Sequence, residues 1–128
     1  MFAAAGTAYV YFTYGMHWCL NVSTGVEGVP SAILIRALDP VEGVETMQER
    51  RGGRPEIASG PARLCESLGV EGGIDGHDLF RPPLFLEPGF VVPDERIGVS
   101  GRIGIRKAAD WPLRFYLRGH PAVARPRD

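Results

Sequence analysis

The sequence predicts a single α+β domain spanning residues 1–128, an antiparallel sheet accompanied by a few short helices. Three observations carry that reading. Stretches rich in aromatic and β-branched residues, 8–14, 17–23 and 31–37, follow one another across turn-length gaps. Two helical patterns come after these strands rather than between them, which argues against the alternation of a parallel sheet. Seventeen glycines and 11 prolines in 128 residues keep every element short.

Taken in order, Ala8-Tyr9-Val10-Tyr11-Phe12-Thr13-Tyr14 is too short for a stable helix and reads as a strand ended by Gly15, with Tyr9, Tyr11 and Thr13 on one face. His17 to Ser23 is the second strand. Gly25-Val26-Glu27-Gly28 turns into the third, Ser31 to Ala37, whose Ile33-Leu34-Ile35 centre reads as buried on both faces. Together the three predict an antiparallel meander. Asp39 as N-cap and Pro40 at the first helical position predict a helix carrying Val41, Val44 and Met47 to Gly52-Gly53. Ser59-Gly60-Pro61 opens a second helix through Leu64, Cys65 and Leu68, and Gly69 stops it. Residues 71–78 read as Gly-rich loop. Leu84-Phe85-Leu86, Ile97–Val99, Ile103–Ile105 and Leu113–Leu117 are expected as short strands, with a loose tail after Gly119.

A hydrophobic content of 45% and a charged content of 23% exclude a disordered chain. Residues 1–26 carry no charge, but Gly6, Thr7, Thr13, Gly15, His17 and Asn21 interrupt them and no basic start precedes them. A buried strand pair fits better than a membrane span or signal, so the expectation is a cytoplasmic protein away from the membrane. Two cysteines 46 positions apart and three scattered histidines, His17, His77 and His120, argue against a disulfide scaffold and against a metal. The net charge of −1 conceals an uneven distribution. Residues 27–95 carry 13 acids against six arginines, whereas residues 96–128 carry seven arginines and Lys107 against two aspartates. A basic last third is a plausible surface for phosphates, and arginine suits bidentate phosphate contacts, although arginine enrichment also follows from genome composition.

Five aromatic residues, Tyr9, Tyr11, Phe12, Tyr14 and Trp18, fall within ten positions. They describe either a sheet core with hydroxyls at its rim or a platform on which nucleobases stack. Tyr14-Gly15-Met16 fits the second reading, because a glycine turn presents an apolar wedge to a base stack. Asn21 lies among apolar neighbours, where its amide either bonds nearby backbone or reads a ligand edge; the residue alone favours the backbone. Arg36, at the end of a buried strand, needs acceptors and finds them in an ion pair or in a bound substrate or water. Gly98, Gly101 and Gly104 do not form a nucleotide loop, since no buried strand leads through them into a helix.

The blocks Tyr11-Phe12-Thr13-Tyr14-Gly15-Met16-His17-Trp18-Cys19-Leu20-Asn21-Val22, Arg36-Ala37-Leu38-Asp39-Pro40, Ser59-Gly60-Pro61-Ala62-Arg63-Leu64, Arg102-Ile103-Gly104-Ile105 and Leu113-Arg114-Phe115-Tyr116 occur in family order over nearly the whole chain. In these the chain closely resembles the alkyladenine (3-methyladenine) DNA glycosylases. The resemblance implies a curved antiparallel sheet or open barrel, and a monofunctional enzyme of base excision repair. Such an enzyme bends double-stranded DNA, flips a damaged purine into a pocket and hydrolyses its bond to deoxyribose. It implies no cofactor and a monomer. By position, Tyr14 and Met16 match the wedge that enters the duplex, and Tyr11 matches a stacking wall, with His17 beside them among the base-binding residues. Asn21 matches the asparagine that crowds the 2-amino group of guanine. Arg36 and the backbone carbonyl of Ile103 match the groups holding the attacking water. Arg102, Gly104, Arg106 and Lys107 are expected on the DNA backbone. The family's general base is a glutamate on a strand before the Tyr-rich one, and none of Glu27, Glu42 or Glu45 matches it. The chain is therefore expected to lack its family's N-terminal part, and the rival reading is a non-catalytic protein that binds DNA or damaged bases.

Overall fold

The computed structural model describes residues 4–13, 17–25, 31–101 and 113–123. Its elements are strands β1 (Ala8–Thr13), β2 (His17–Ser23) and β3 (Ala32–Leu34), helices α1 (Val44–Arg50) and α2 (Pro61–Leu68), and strands β4 (Ile97–Ser100) and β5 (Arg114–Leu117). Short 3-10 turns stand at Gly72–Ile74 and Asp94–Arg96. The α+β class read from the sequence is the observed one. By contacts the chain forms two compact units, Met1–Glu87 and Pro88–Asp128.

In the first unit the strand order is β1-β2-β3, all antiparallel. Alternation along the strands sends Ala8, Val10, Leu20 and Val22 to one face, where Leu64 and Cys65 of α2, with Ala58, Val70 and Leu79, complete the core. Leu64 and Leu79 are sealed from solvent, each worth about 2–3 kcal/mol of burial. α2 forms where expected: Pro61 stands in its first turn and Gly69 leaves it in the left-handed region at φ 70°. A buried arginine joins the two helices, since Arg51 donates from Nε to the carbonyl of Glu56 at 2.9 Å and from Nη1 to Glu66 Oε1 at 3.1 Å.

The outer edge of β1 is partly closed by residues 75–78. Ala8 N–H donates to the carbonyl of His77 at 2.8 Å, Gly76 N–H to the carbonyl of Ala8 at 2.8 Å, and Val10 N–H to Asp75 Oδ1 at 2.9 Å. A carboxylate thus stands in for a strand neighbour and stops the ladder from recruiting another chain at that point.

Three expectations need correction. α1 starts at Val44 after Gly43, at φ 71°, and not at Asp39-Pro40. Gly43 takes a left-handed conformation that a continuous helix from Asp39 cannot contain, and before it Leu38 N–H donates to the carbonyl of Ala58 at 3.0 Å. Leu84-Phe85-Leu86 is not a strand. His77 Nε2 lies 2.8 Å from the carbonyls of both Arg81 and Leu84, and Leu86 N–H donates to Leu79, so this Pro-flanked segment folds back as a strapped loop. β3 is also shorter than Ser31–Ala37 and, as an edge strand, not buried on both faces, since Ile33 is 57% exposed, although Ile35 N–H still reaches the carbonyl of Leu20 at 3.0 Å. The expected strand Ile103–Ile105 lies outside the described residues.

The second unit contains the β4–β5 hairpin, paired Gly98↔Tyr116 and Ser100↔Arg114. Arg114 is 4% exposed; its guanidinium lies 4.4 Å from the Tyr116 ring centroid and donates to Ser100 Oγ at 2.9 Å. Gly98 is required here, because a Cβ would sit 2.2 Å from Tyr116 Cζ.

Candidate functional site

The alternation that builds the core gathers polar chemistry on the opposite face of the sheet. Tyr9 pairs with Asn21, Tyr11 with Cys19 and Thr13 with His17 across β1 and β2, and Asn21 pairs with Leu34 of β3. Of these, Tyr9, Tyr11, Cys19, Asn21 and Leu34 share the face away from α2. Tyr9 and Tyr11 lie side by side, their ring centroids 5.4 Å apart and tilted by 37°. Tyr11 is 36% exposed, so its ring is open to a stacking partner, whereas Asn21 beneath the pair is only 7% exposed. The Asn21 amide Nδ2 donates to the carbonyl of Tyr9 at 3.3 Å.

Arg36, two residues past β3, acts electrostatically on the Cys19 thiol. Burial raises that thiol above its ordinary value, and the Tyr11 hydroxyl and the Arg36 guanidinium oppose the rise. The Tyr11 hydroxyl is itself raised, first by burial and then by Cys19 and Tyr9, while the Asn21 amide pulls it down. Tyr11, Asn21 and Arg36, expected from sequence to act together, thus lie on or beside one surface, and Cys19 and Tyr9 join them. Sequence reading assigned Cys19 no role and counted Tyr9 only among the five clustered aromatics. The available signal was register, since each directly faces Tyr11 or Asn21 across the hairpin.

His17 stands at the opposite end of β2 from Asn21. It lines a cavity of about 400 Å³ with Trp18, Arg50, Ala62, Cys65 and Glu71 on the helix side. The Tyr11–Asn21 pair is not part of that cavity. On the core face, Trp18 stacks with Phe12 at 4.7 Å and presses on the backbone at Gly72, which fixes β2 from behind. Tyr14, Met16, Arg102, Ile103, Gly104, Arg106 and Lys107 lie outside the described residues. Among the described residues no aspartate or glutamate stands on the Tyr11–Asn21 face of the three strands, and no group of three or more His, Cys, Asp or Glu is placed to hold a metal. No helix among them is long and apolar enough to cross a membrane.

The model of one protein family, methylpurine-DNA glycosylase, matches residues 1–121. The chain belongs to that family. Among curated proteins it is 46% identical over 128 residues to the "Putative 3-methyladenine DNA glycosylase" of Carboxydothermus hydrogenoformans, covering 98% of this chain and 67% of the relative. The protein of the same name from Methanoculleus marisnigri is 47% identical over 130 residues, covering 98% and 68%. That from Rhodopseudomonas palustris strain HaA2 is 46% identical over 128 residues, covering 98% and 63%. This methylpurine-DNA glycosylase family member thus spans about two thirds of the length of such relatives.

Proposed function

We propose that this chain serves a monofunctional DNA N-glycosylase, which flips an alkylated or deaminated purine such as 3-methyladenine, hypoxanthine or ethenoadenine out of duplex DNA. Water then attacks the N-glycosidic bond and leaves a free base and an abasic site. The observation that carries the reading is the shared face: an open Tyr11 ring, a buried Asn21 amide below it and the Arg36 guanidinium nearby, in a chain of this family.

The tasks of Tyr11, Asn21 and Arg36 follow from their shared surface, and those of the other residues from the family motifs that carry them. Tyr11 stacks on the flipped base, a contact worth about 1–3 kcal/mol. Asn21 limits which purine edge fits beneath it. Arg36, with the carbonyl of Ile103, holds the attacking water. Tyr14 and Met16 fill the gap left in the duplex, with His17 at the adjoining end of β2. Arg102, Gly104, Arg106 and Lys107 hold the phosphates. Lys107 is the only lysine of the sequence, so water is favoured over an amine as nucleophile. The described strands of this face carry no aspartate or glutamate to act as general base, and such a base is worth about 10²–10⁴ in rate.

The test is single-turnover excision of hypoxanthine and ethenoadenine from duplex DNA by this 128-residue chain, beside a form lengthened upstream in frame. Excision by either form supports a glycosylase, and activity confined to the longer form places the base upstream. Binding of lesion DNA without excision by either form would favour the rival reading, a non-catalytic damaged-base binder.

A further inference from the structure

The β1–β2 hairpin has two faces, and the proposed site uses one of them. The helix side carries a cavity of about 400 Å³ at the end of the hairpin where the pairing stops, Thr13↔His17. A small-molecule site usually encloses about 300–1,000 Å³, so the space suffices for a base. Cys65 and Val70, both buried, form its floor, while His17, Arg50, Glu66 and Glu71 are exposed, so the cavity opens at the surface.

Glu66 is already neutralised, since Arg51 Nη1 lies 3.1 Å from its Oε1. Arg50 is held in place: its Nη1 donates to the carbonyl of Ser67 at 2.9 Å, and a Cβ on Gly69 would lie 3.4 Å from its Cζ. Among the described residues no carboxylate forms an ion pair with Arg50, and no cation forms one with Glu71. The wall therefore presents a fixed guanidinium and a carboxylate whose charges cancel. A phosphate gains little there, because the carboxylate repels what the guanidinium attracts. A nucleobase edge gains from both, since its carbonyls and ring-nitrogen lone pairs accept from arginine and its N–H groups donate to glutamate. Trp18 and His17 bring to the same wall rings on which a base can stack.

We propose that this cavity receives the base of the complementary strand, the one left without a partner when the purine is flipped. This rests on the base-flipping reading above. In that reading the end of the hairpin enters the duplex and the flipped purine goes to the Tyr11–Asn21 face. The base opposite is then on the far side of the hairpin, where the cavity opens. Lesions of adenine stand opposite thymine, whose edge sets an N–H between two carbonyls; a carbonyl accepts from Arg50 and the N–H donates to Glu71. Holding this base keeps it from pairing again and so favours the flipped state.

Equilibrium binding to three duplexes tests the proposal: hypoxanthine opposite thymine, hypoxanthine opposite an abasic residue, and adenine opposite an abasic residue. The whole 128-residue chain is compared with Arg50→Met, which removes the donors, and Ala62→Leu, which fills the cavity from α2. Each variant is expected to weaken binding of hypoxanthine opposite thymine about tenfold. Neither should change binding of hypoxanthine opposite the abasic residue, where no base is left to hold. Comparing variant with wild type on one duplex cancels the cost of breaking the pair. Where both variants fold by circular dichroism, both must show this selective loss; should one fail to fold, the other decides. Equal losses on the two hypoxanthine duplexes, or no loss on either, overturn the inference. If the wild-type chain still prefers hypoxanthine to adenine opposite the abasic residue in that case, only the inference falls. If that preference is absent too, the base-flipping reading falls with it.

Discussion

Two adjacent glycines in the turn after α2 should respond to the same substitution with opposite signs. An ideal Cβ on Gly72 would lie 2.8 Å from Trp18 Cη2 and 3.2 Å from Cζ3, whereas one on Gly73 meets nothing within 4 Å. Carbon atoms rest at about 3.5–4.0 Å, so Gly72→Ala requires the indole to retreat by roughly 0.7–1 Å. Phe12 stands behind that ring at 4.7 Å, and Trp18 also packs against the core, so the retreat disturbs both. Overpacking of this kind costs about 1–3 kcal/mol; contact at the far edge of the ring places it near 1–2. Gly73 has no positive φ, so Gly73→Ala is unstrained and gains about 0.4–1 kcal/mol by restricting the unfolded chain. At roughly 4 °C per kcal/mol for a chain of this size, the melting temperatures should differ by about 6–12 °C, with Gly72→Ala the lower. Thermal melts followed by circular dichroism measure the gap. Melting temperatures within 2 °C of each other, or the reverse order, would refute the packing of Trp18 on this turn, and with it the support of β2 from behind.

Further expectations concern the site and its chemistry. Asn21→Ser should raise activity on purines that carry a 2-amino group, and unchanged selectivity in competition assays would count against Asn21 as the excluding group. Tyr14→Ala should slow excision and weaken lesion binding far more than it lowers thermal stability; equal losses would remove its wedge role. Affinity for duplex DNA should fall steeply between low and moderate salt if the basic last third meets the phosphates, and a flat response would contradict that. Burial, with Cys19 next, pushes the Cys65 thiol from 9.0 up to about 11. A thiol raised on folding contributes stability that is complete below pH 9 and is lost as pH rises through 11. Cys65→Ala should therefore show a shallower fall in melting temperature between those values; parallel curves would place the thiol in contact with water.

Local chemistry made some elements readable before any contact was known. The His17–Ser23 run is observed as β2 with those bounds, and the Tyr-rich run is observed as β1 over Ala8–Thr13. Pro61 and Gly69 bracket α2 by backbone preference alone. Asp39-Pro40 carried an equally good helix-start signal, but Gly43 turns the backbone left-handed and α1 begins only after it. The strapping of Leu84 by His77 was likewise invisible, since no local pattern announces a side chain that bonds two carbonyls.

What the sequence determined by itself was the hairpin, its phase and the family motifs carried on it, because each depends on residues within a few positions of one another. Tertiary structure decided which face of the hairpin is core and which carries the candidate site. β2 is buried at Cys19, Leu20 and Asn21 in succession, so both its faces are covered and alternation cannot tell core from site. Only the packing of α2 against Leu20 assigns that side to the core and leaves Tyr11, Cys19 and Asn21 together on the other. That assignment requires contact between segments some 40 residues apart in the chain, and strand periodicity carries no information at that range.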